Sequence, residues 1–281
     1  MNHKVEMSLV KYLSSVLQGK GSMSKSTINS ITKAIKESLN RQFNSGGRDG
    51  FRLRMSSIGR PYCQLWYDKN KPEAAVEKSP HFLLQMVIGD IIEAVVNGVM
   101  VESGVEVYAS EQAKLALGKH TITGTTDPSF EPVTDTKSAS QYSYNYKFTD
   151  WQTLAENDSF GYVAQGVGYA KALDKKFNGW FVVNKSTGEF KFVPYEADEE
   201  YNEKLLTKLE HKLDKLENNK FNRCFDPVEE TFRKKPTGNK ILPMECKFCD
   251  YKFDCWKGFI SEEPSRVSSA KDKPMVYYLT A

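Results

Sequence analysis

The stretch from Phe82 to Val101 is the longest apolar run in the chain and constrains the fold more than any other segment. A run of this length either crosses a membrane or forms a long helix with most of its surface covered. Gln85, Asp90, Glu93 and Asn97 interrupt it. Ionisable groups in a bilayer core are costly, so the expectation is a buried helix of a protein with no membrane span. An ionised carboxylate in such a helix must be paired or hold a cation. Asp90 and Glu93 are three residues apart and can share a face; a helix rim open to water is the competing reading.

The remaining sequence supplies the partners for this helix. Residues 8–18 and 26–43 read as amphipathic helices. The second has Ser26 as N-cap and ends before the loop Asn44-Ser45-Gly46-Gly47. Pro72 and Pro80 bracket a linker. Strands are expected at 105–109, 112–117, 120–126 and 130–136. Asn157-Asp158-Ser159 opens a helix reaching Leu173, and Lys185-Ser186-Thr187-Gly188 joins 180–183 and 189–193 as a hairpin. Asp198 caps a helix with Tyr201, Leu205, Leu209, Leu213 and Leu216 on one face. Beyond Lys220 the chain reads as a loop-rich tail. The order implies a mixed sheet flanked by helices, of the α/β or α+β class.

Hydrophobic residues make up 40% of the chain and charged residues 27%, so a core can form. No signal peptide is read over Met1 to Lys20, so the expected location is the cytoplasm, or the host cytoplasm for a phage-encoded chain. Residues 1–60 carry a balance of +8 and the rest −5. This basic helical N-terminal region, 1–60, is set apart from 61–281. It suits a polyanionic partner or a solvated helical face equally well.

Two constellations carry chemistry. Asp127, in Gly124-Thr125-Thr126-Asp127, and Asp135, in Asp135-Thr136-Lys137, end adjacent predicted strands. Residues i and i+2 of a strand share a face, so Asp135 and Lys137 project together. A hairpin of the two strands would bring Asp127 to Asp135. Two close carboxylates repel unless a divalent cation lies between them, and oxygen ligands favour Mg²⁺ or Mn²⁺. A lysine beside that ion can position a water and stabilise charge on a phosphate; alone, the pair reads as rim charge. Gln165 and Tyr169 share a helical face. The second constellation is Cys246-x2-Cys249-x5-Cys255. Closely spaced thiolates chelate zinc or an iron–sulfur cluster, and the fourth ligand is Cys63 or Cys224.

Gly-x-x-x-Glu, Gly-x-x-Asp, Asp-x-Lys and Gln-x-x-x-Tyr, in this order, resemble the RecB-type branch of the PD-(D/E)XK nucleases over roughly residues 60–260. The first motif there often has histidine where Glu93 falls; λ-exonuclease-like members have glutamate. The resemblance implies a restriction-endonuclease-like central mixed sheet flanked by helices. It implies that Glu93, Asp127, Asp135 and the Thr136 carbonyl bind the catalytic metal, that Lys137 activates water, and that Gln165 and Tyr169 contact DNA or support the site. RecB-like nucleases with an iron–sulfur cluster, including CRISPR-associated exonucleases and AddB-type nuclease domains, place one cysteine before the core and three after it with this spacing. Cys63, Cys246, Cys249 and Cys255 would then hold a [4Fe–4S] cluster, with zinc as the rival. The cluster would staple the tail to the segment before the core, leaving Cys224 an ordinary buried thiol.

The activity implied is a metal-dependent DNA exonuclease acting on single-stranded DNA or DNA ends, in recombination, replication or phage DNA processing. The alternatives are a non-catalytic nucleic-acid-binding module and a zinc-stapled endonuclease. Expected partners are DNA, a recombination or replication protein, and further copies of the chain. Candidate DNA contacts are Arg52, Arg54, Arg60 and Lys235, with Tyr146 and Trp151 to stack on unpaired bases.

Overall fold

The computed structural model describes residues 3–44, 50–156 and 158–280. In chain order its helices and strands begin with α1 (Lys4–Leu17), α2 (Lys25–Phe43), α3 (Tyr62–Asn70) and α4 (Pro80–Glu102). There follow β1 (Gln112–Leu117), β2 (His120–Thr125), β3 (Thr134–Ala139), α5 (Gln141–Tyr146), α6 (Trp151–Glu156) and α7 (Tyr162–Leu173). Then come β4 (Gly179–Asn184), β5 (Phe190–Pro194) and α8 (Glu199–Glu217). The C-terminal part holds β6 (Val228–Phe232), β7 (Lys235–Ile241), α9 (Met244–Lys247), α10 (Lys252–Cys255), β8 (Ile260–Pro264) and β9 (Met275–Leu279). The class is mixed α/β.

The chain divides into two compact units. The first joins Met1–Gly59 to Ser79–Leu213; the second joins Arg60–Lys78 to Asp214–Ala281. The basic helices before residue 60 belong to the same unit as residues 79–213, and the chain passes between the units three times.

In the first unit β4 pairs in parallel with β3 and antiparallel with β5. Every residue of β4 is buried, as its apolar run Trp180-Phe181-Val182-Val183 requires. The expected hairpin around 185–188 is therefore present. β1 and β2 form a separate antiparallel pair. The hairpin expected between 120–126 and 130–136 does not form. The last strand starts later, at Thr134, and runs beside β4 instead. Residues 105–109 contribute only one bridge, between Tyr108 and Ser129.

The long apolar helix exists as α4, but it is not the buried helix expected. Only Val87, Gly98, Val99 and Met100 are buried, while Phe82, Leu84, Met86, Ile88, Val95 and Val101 are exposed. By length and composition alone α4 could cross a membrane. Two of its acidic residues have defined partners in this unit, whereas Asn97 Oδ1 is buried without a hydrogen-bond partner. Asp90 Oδ2 accepts hydrogen bonds from Ser38 Oγ (2.5 Å), Arg41 Nη2 (2.8 Å) and Gln42 Nε2 (3.0 Å) of α2. One helix end further on, Glu102 accepts from Ser24 Oγ (2.6 Å) and from Thr27. Two carboxylates of an apolar helix thus hold a polar helix against it. The N-cap of α2 is Ser24, which accepts the Thr27 N–H at 3.2 Å, and not Ser26. The loop after Asn44 lies outside the described residues.

The second unit corrects the loop-rich tail. It contains a four-stranded antiparallel sheet in the order β6-β7-β9-β8. Its first turn, Arg233-Lys234, takes positive φ at two non-glycine residues, so the usual turn signal is missing. Glu230, at a break in the β6–β7 register, is buried and accepts from Tyr278 Oη, Thr237 Oγ1 and Asn239 Nδ2 at 2.8–2.9 Å. The segment carrying α3 is held to this tail by packing and hydrogen bonds. Tyr67 and Tyr251 rings stack at 4.8 Å, Trp66 Nε1 donates to Asn219 O, and Tyr251 Oη donates to Asp68 at 2.5 Å.

Candidate functional site

The acidic constellation lies wholly within the first unit. Asp135 and Lys137 project from one face of β3, and Lys137 Nζ stands 2.7 Å from Asp135 Oδ1 and 2.6 Å from Oδ2. Asp127 reaches the same place without a hairpin: its Oδ2 accepts the Thr136 N–H at 3.3 Å. That bond uses the edge of β3 that β4 leaves open. The N–H and C=O of a strand residue lie on the same edge, so the Thr136 carbonyl faces Asp127 as well. Glu93 comes from α4. A Cβ at Gly89, one turn earlier, would lie 3.3 Å from Ser138 Oγ of β3, so the glycine allows the helix close to the strand. The Gly-x-x-x-Glu spacing puts both residues on that face.

These groups share one electrostatic environment. Burial pushes the Glu93 carboxyl up to about 7, helped by the Asp135 charge and opposed by Lys137. Burial, then the charges of Asp135 and Glu93, hold Asp127 well above the ordinary carboxylate range. Burial pulls Lys137 down, and Asp135 and Asp127 more than reverse it, so the ammonium stays charged. Its side chain is 19% exposed against 8% for Asp135. One ammonium serves three carboxyl groups, so ionising Glu93 and Asp127 as well would leave the site short of positive charge. Asp135 Oδ2 makes an ion pair with Lys137 but no hydrogen bond of good geometry. An oxygen-only donor set with surplus negative charge fits a hard divalent cation. Among the described residues no group of three or more His, Cys, Asp or Glu side chains is arranged to hold a metal ion, and Lys137 engages both Asp135 oxygens.

Gln165 and Tyr169 come from α7. Tyr169 is buried and donates to the Thr125 carbonyl at 2.8 Å, two residues before Asp127. A Cβ at Gly124 would lie 2.6 Å from Tyr169 Oη and from Met55 Cβ. The glycine of Gly-x-x-Asp therefore makes room for the tyrosine of Gln-x-x-x-Tyr. Burial, then the Asp127 charge, raises Tyr169 to about 12, and Gln165 hydrogen-bonds to it. Tyr169 thus holds the backbone before Asp127, and Gln165 bonds to Tyr169. Sequence reasoning missed Tyr162, whose ring lies 5.0 Å from Lys137 Nζ. It occupies the first turn of α7, on the face that Gln165 and Tyr169 continue, so helical periodicity could have found it. Asp158 caps that turn by accepting the Gly161, Tyr162 and Val163 N–H groups at 2.8–2.9 Å; its expected neighbour Asn157 lies outside the described residues. Asp90, expected to share a face with Glu93, is held by α2 instead.

The candidate DNA contacts divide. Arg52 and Tyr146 are exposed, with the Tyr146 ring 5.1 Å from that of exposed Tyr142. Arg54 is half-buried in the backbone turn beside β2. Trp151 packs edge-on against Tyr195 and Tyr201, at 5.3 and 5.4 Å, as part of the core and not as a stacking platform. Arg60 and Lys235 belong to the second unit, where Arg60 pairs with Asp68 at 3.6 Å and Lys235 is exposed.

The cysteines lie wholly within the second unit. Cys63, Cys246, Cys249 and Cys255 line one small cavity with Gln64, Phe225 and Trp256. Polar hydrogens surround the sulfurs. Tyr251 N–H donates to Cys249 Sγ at 3.4 Å, and the Gln64 side chain also serves Cys249. Arg223 lies against Cys255, and the buried Trp256 indole N–H stands beside Cys246 without a partner of strict geometry. Burial raises the Cys246, Cys249 and Cys255 thiols, Cys246 to about 12; four sulfurs on one cavity, three of them with a donor on or beside the sulfur, fit a cluster or zinc whose positive charge would hold them as thiolates. Tyr251 and Trp256 are buried around this site; Phe248 and Phe253 are exposed. Cys224 is not the buried thiol expected: it is exposed, and its sulfur accepts the Cys63 N–H at 3.0 Å.

No family model and no curated protein matches this chain. One solved structure, titled "Crystal structure of SSO0001", aligns over 83% of this chain and 96% of its own, at 11% identity and a TM-score of 0.40. So loose a likeness carries no argument about fold or function.

Proposed function

We propose that this chain is a divalent-metal-dependent deoxyribonuclease, an exonuclease built on a restriction-endonuclease-like core of β3, β4 and β5 with α4 and α7. The observation that carries this reading is that Glu93, Asp127, Asp135 and Lys137, from one helix, one loop and one strand, share one buried electrostatic environment. Stability alone gives no reason to gather three acids there, because their mutual repulsion is unfavourable.

Glu93, Asp127, Asp135 and the Thr136 carbonyl would hold Mg²⁺ or Mn²⁺. The bound ion supplies Lewis-acid stabilisation of charge on the phosphate and the leaving oxygen. Lys137, whose ammonium stands beside Asp135, would position the attacking water and stabilise charge on the phosphate. Tyr162 limits where that ammonium can go. Tyr169 fixes the backbone before Asp127. Exposed Tyr142, Tyr146 and Arg52 are suited to an unpaired strand and its phosphates. In the second unit, Cys63, Cys246, Cys249 and Cys255 would hold a structural [4Fe–4S] cluster. Zinc in the same four sulfurs is the alternative.

The test is anaerobic purification followed by end-labelled linear and circular DNA, single- and double-stranded, with Mg²⁺ or Mn²⁺. The parent should degrade linear DNA from an end, and Lys137→Ala should be about 10²–10⁴-fold slower. No cutting under any divalent ion, or a Lys137→Ala protein as fast as the parent, refutes the proposal.

A further inference from the structure

A [4Fe–4S] cluster takes four thiolates, and five thiols stand in this neighbourhood of the second unit. Cys63 and Cys224 meet head to head. The Cys63 N–H points at Cys224 Sγ at 3.0 Å, the Cys224 backbone N–H serves the Cys63 sulfur, and the two thiols hydrogen-bond to each other. Cys224 also lies within the electrostatic reach of Cys255. Its position is fixed by its neighbour: Arg223 Nε and Nη2 donate to the Cys255 carbonyl at 3.0 and 2.8 Å, and the guanidinium lies 4.4 Å from the Trp256 ring centroid. The two sulfurs differ in access, since Cys63 is buried and Cys224 exposed.

We propose that Cys63 and Cys224 are interchangeable occupants of the fourth ligand position, with Cys224 taking the cluster iron whenever Cys63 releases it. The exchange is balanced without any oxidant. One iron–sulfur bond to Cys63 breaks and one to Cys224 forms, while the proton on the Cys224 thiol passes to the departing Cys63 sulfur along the hydrogen bond joining them. Total charge is unchanged, and no sulfur is left as a buried, unpaired thiolate. The exposed thiol gives an incoming cluster a first point of attachment that the buried one does not offer. This inference rests on the cysteine-centre part of the proposed function and is independent of the nuclease chemistry.

The experiment measures iron, zinc and acid-labile sulfide per chain in anaerobically purified full-length protein. The set is the parent, Cys63→Ala, Cys224→Ala, the double variant, and Cys246→Ala as control, each checked for folding by circular dichroism. Both single variants should keep most of the parent's metal, and the double variant and Cys246→Ala should lose it about tenfold. Cys224→Ala, at an exposed position, gives a second reading that does not depend on the folding of Cys63→Ala. A ferrous chelator should strip its iron about tenfold faster than the parent's, because a released Cys63 has no replacement. Folded Cys63→Ala as depleted as the double variant, or equal stripping rates for Cys224→Ala and the parent, overturns the exchange alone. A parent with neither iron nor zinc overturns the exchange and the cysteine centre together, and a metal-replete protein that never cuts DNA overturns only the nuclease.

Discussion

Glu93→Gln should make the metal-free protein more stable and inactive. Glu93 is displaced from an ordinary carboxyl value of 4.5 to about 7, first by burial and then by Asp135. Between those values the folded chain holds a proton that the unfolded chain has lost, so stability falls as pH rises through that window. At 1.36 kcal/mol per pH unit, ionised Glu93 costs the fold up to about 3 kcal/mol above pH 7. Glutamine removes the charge and keeps the shape. The gain should therefore be near zero at pH 4.5 and reach about 2–3 kcal/mol at pH 8. For a unit of this size that raises the melting temperature by roughly 4–12 °C. Thermal unfolding without added divalent ions, followed at both pH values, reads the difference. Added Mg²⁺ should stabilise the parent and not the variant, and DNA cleavage should be lost in the variant. If Glu93→Gln is no more stable than the parent at pH 8, or is equally stabilised at pH 4.5, Glu93 does not sit against Asp135 in a desolvated site.

Three further outcomes follow from the same geometry. Cleavage at fixed Mg²⁺ should rise as pH passes through about 7, because metal binding needs ionised Glu93; raising Mg²⁺ should move that midpoint to lower pH, and a pH–rate profile at two concentrations checks it. Gly124→Ala should cost about 1–3 kcal/mol by overpacking against Tyr169 and Met55, with cleavage falling further than Tyr169→Phe lowers it; urea midpoints and initial rates separate the two. Asp90→Ala should release α2, losing about 1–3 kcal/mol for three acceptor contacts that include a partly exposed arginine, and amide exchange should quicken in 25–43.

What the sequence revealed of this molecule follows from the range of the forces involved. Local features were legible: the apolar run of β4, the hairpin after it and the Asp198 cap of α8, where Asp198 Oδ1 accepts the Tyr201 N–H at 2.8 Å, all follow from neighbours in the chain. The i, i+2 pairing of Asp135 with Lys137 was legible for the same reason. Errors arose where a polar side chain replaced a backbone partner. The Thr136 N–H bonds to Asp127 and not to a neighbouring strand, so two segments that read as a hairpin belong to different sheets and yet bring the same carboxylates together. The burial of α4 was overestimated because composition counts apolar residues and cannot tell which face is covered, whereas Asp90 and Glu102 determine where α2 lies. The four C-terminal strands were missed because their first turn uses arginine and lysine at positive φ, and buried Glu230 gives the segment a polar, loop-like composition. Cys224 was visible but ambiguous: one-dimensional spacing ranks a cysteine by its distance along the chain, and only the fold puts it against Cys63. The side chains that meet in each constellation could thus be named from types and order, while the contacts that set their protonation depend on through-space neighbours that spacing does not encode.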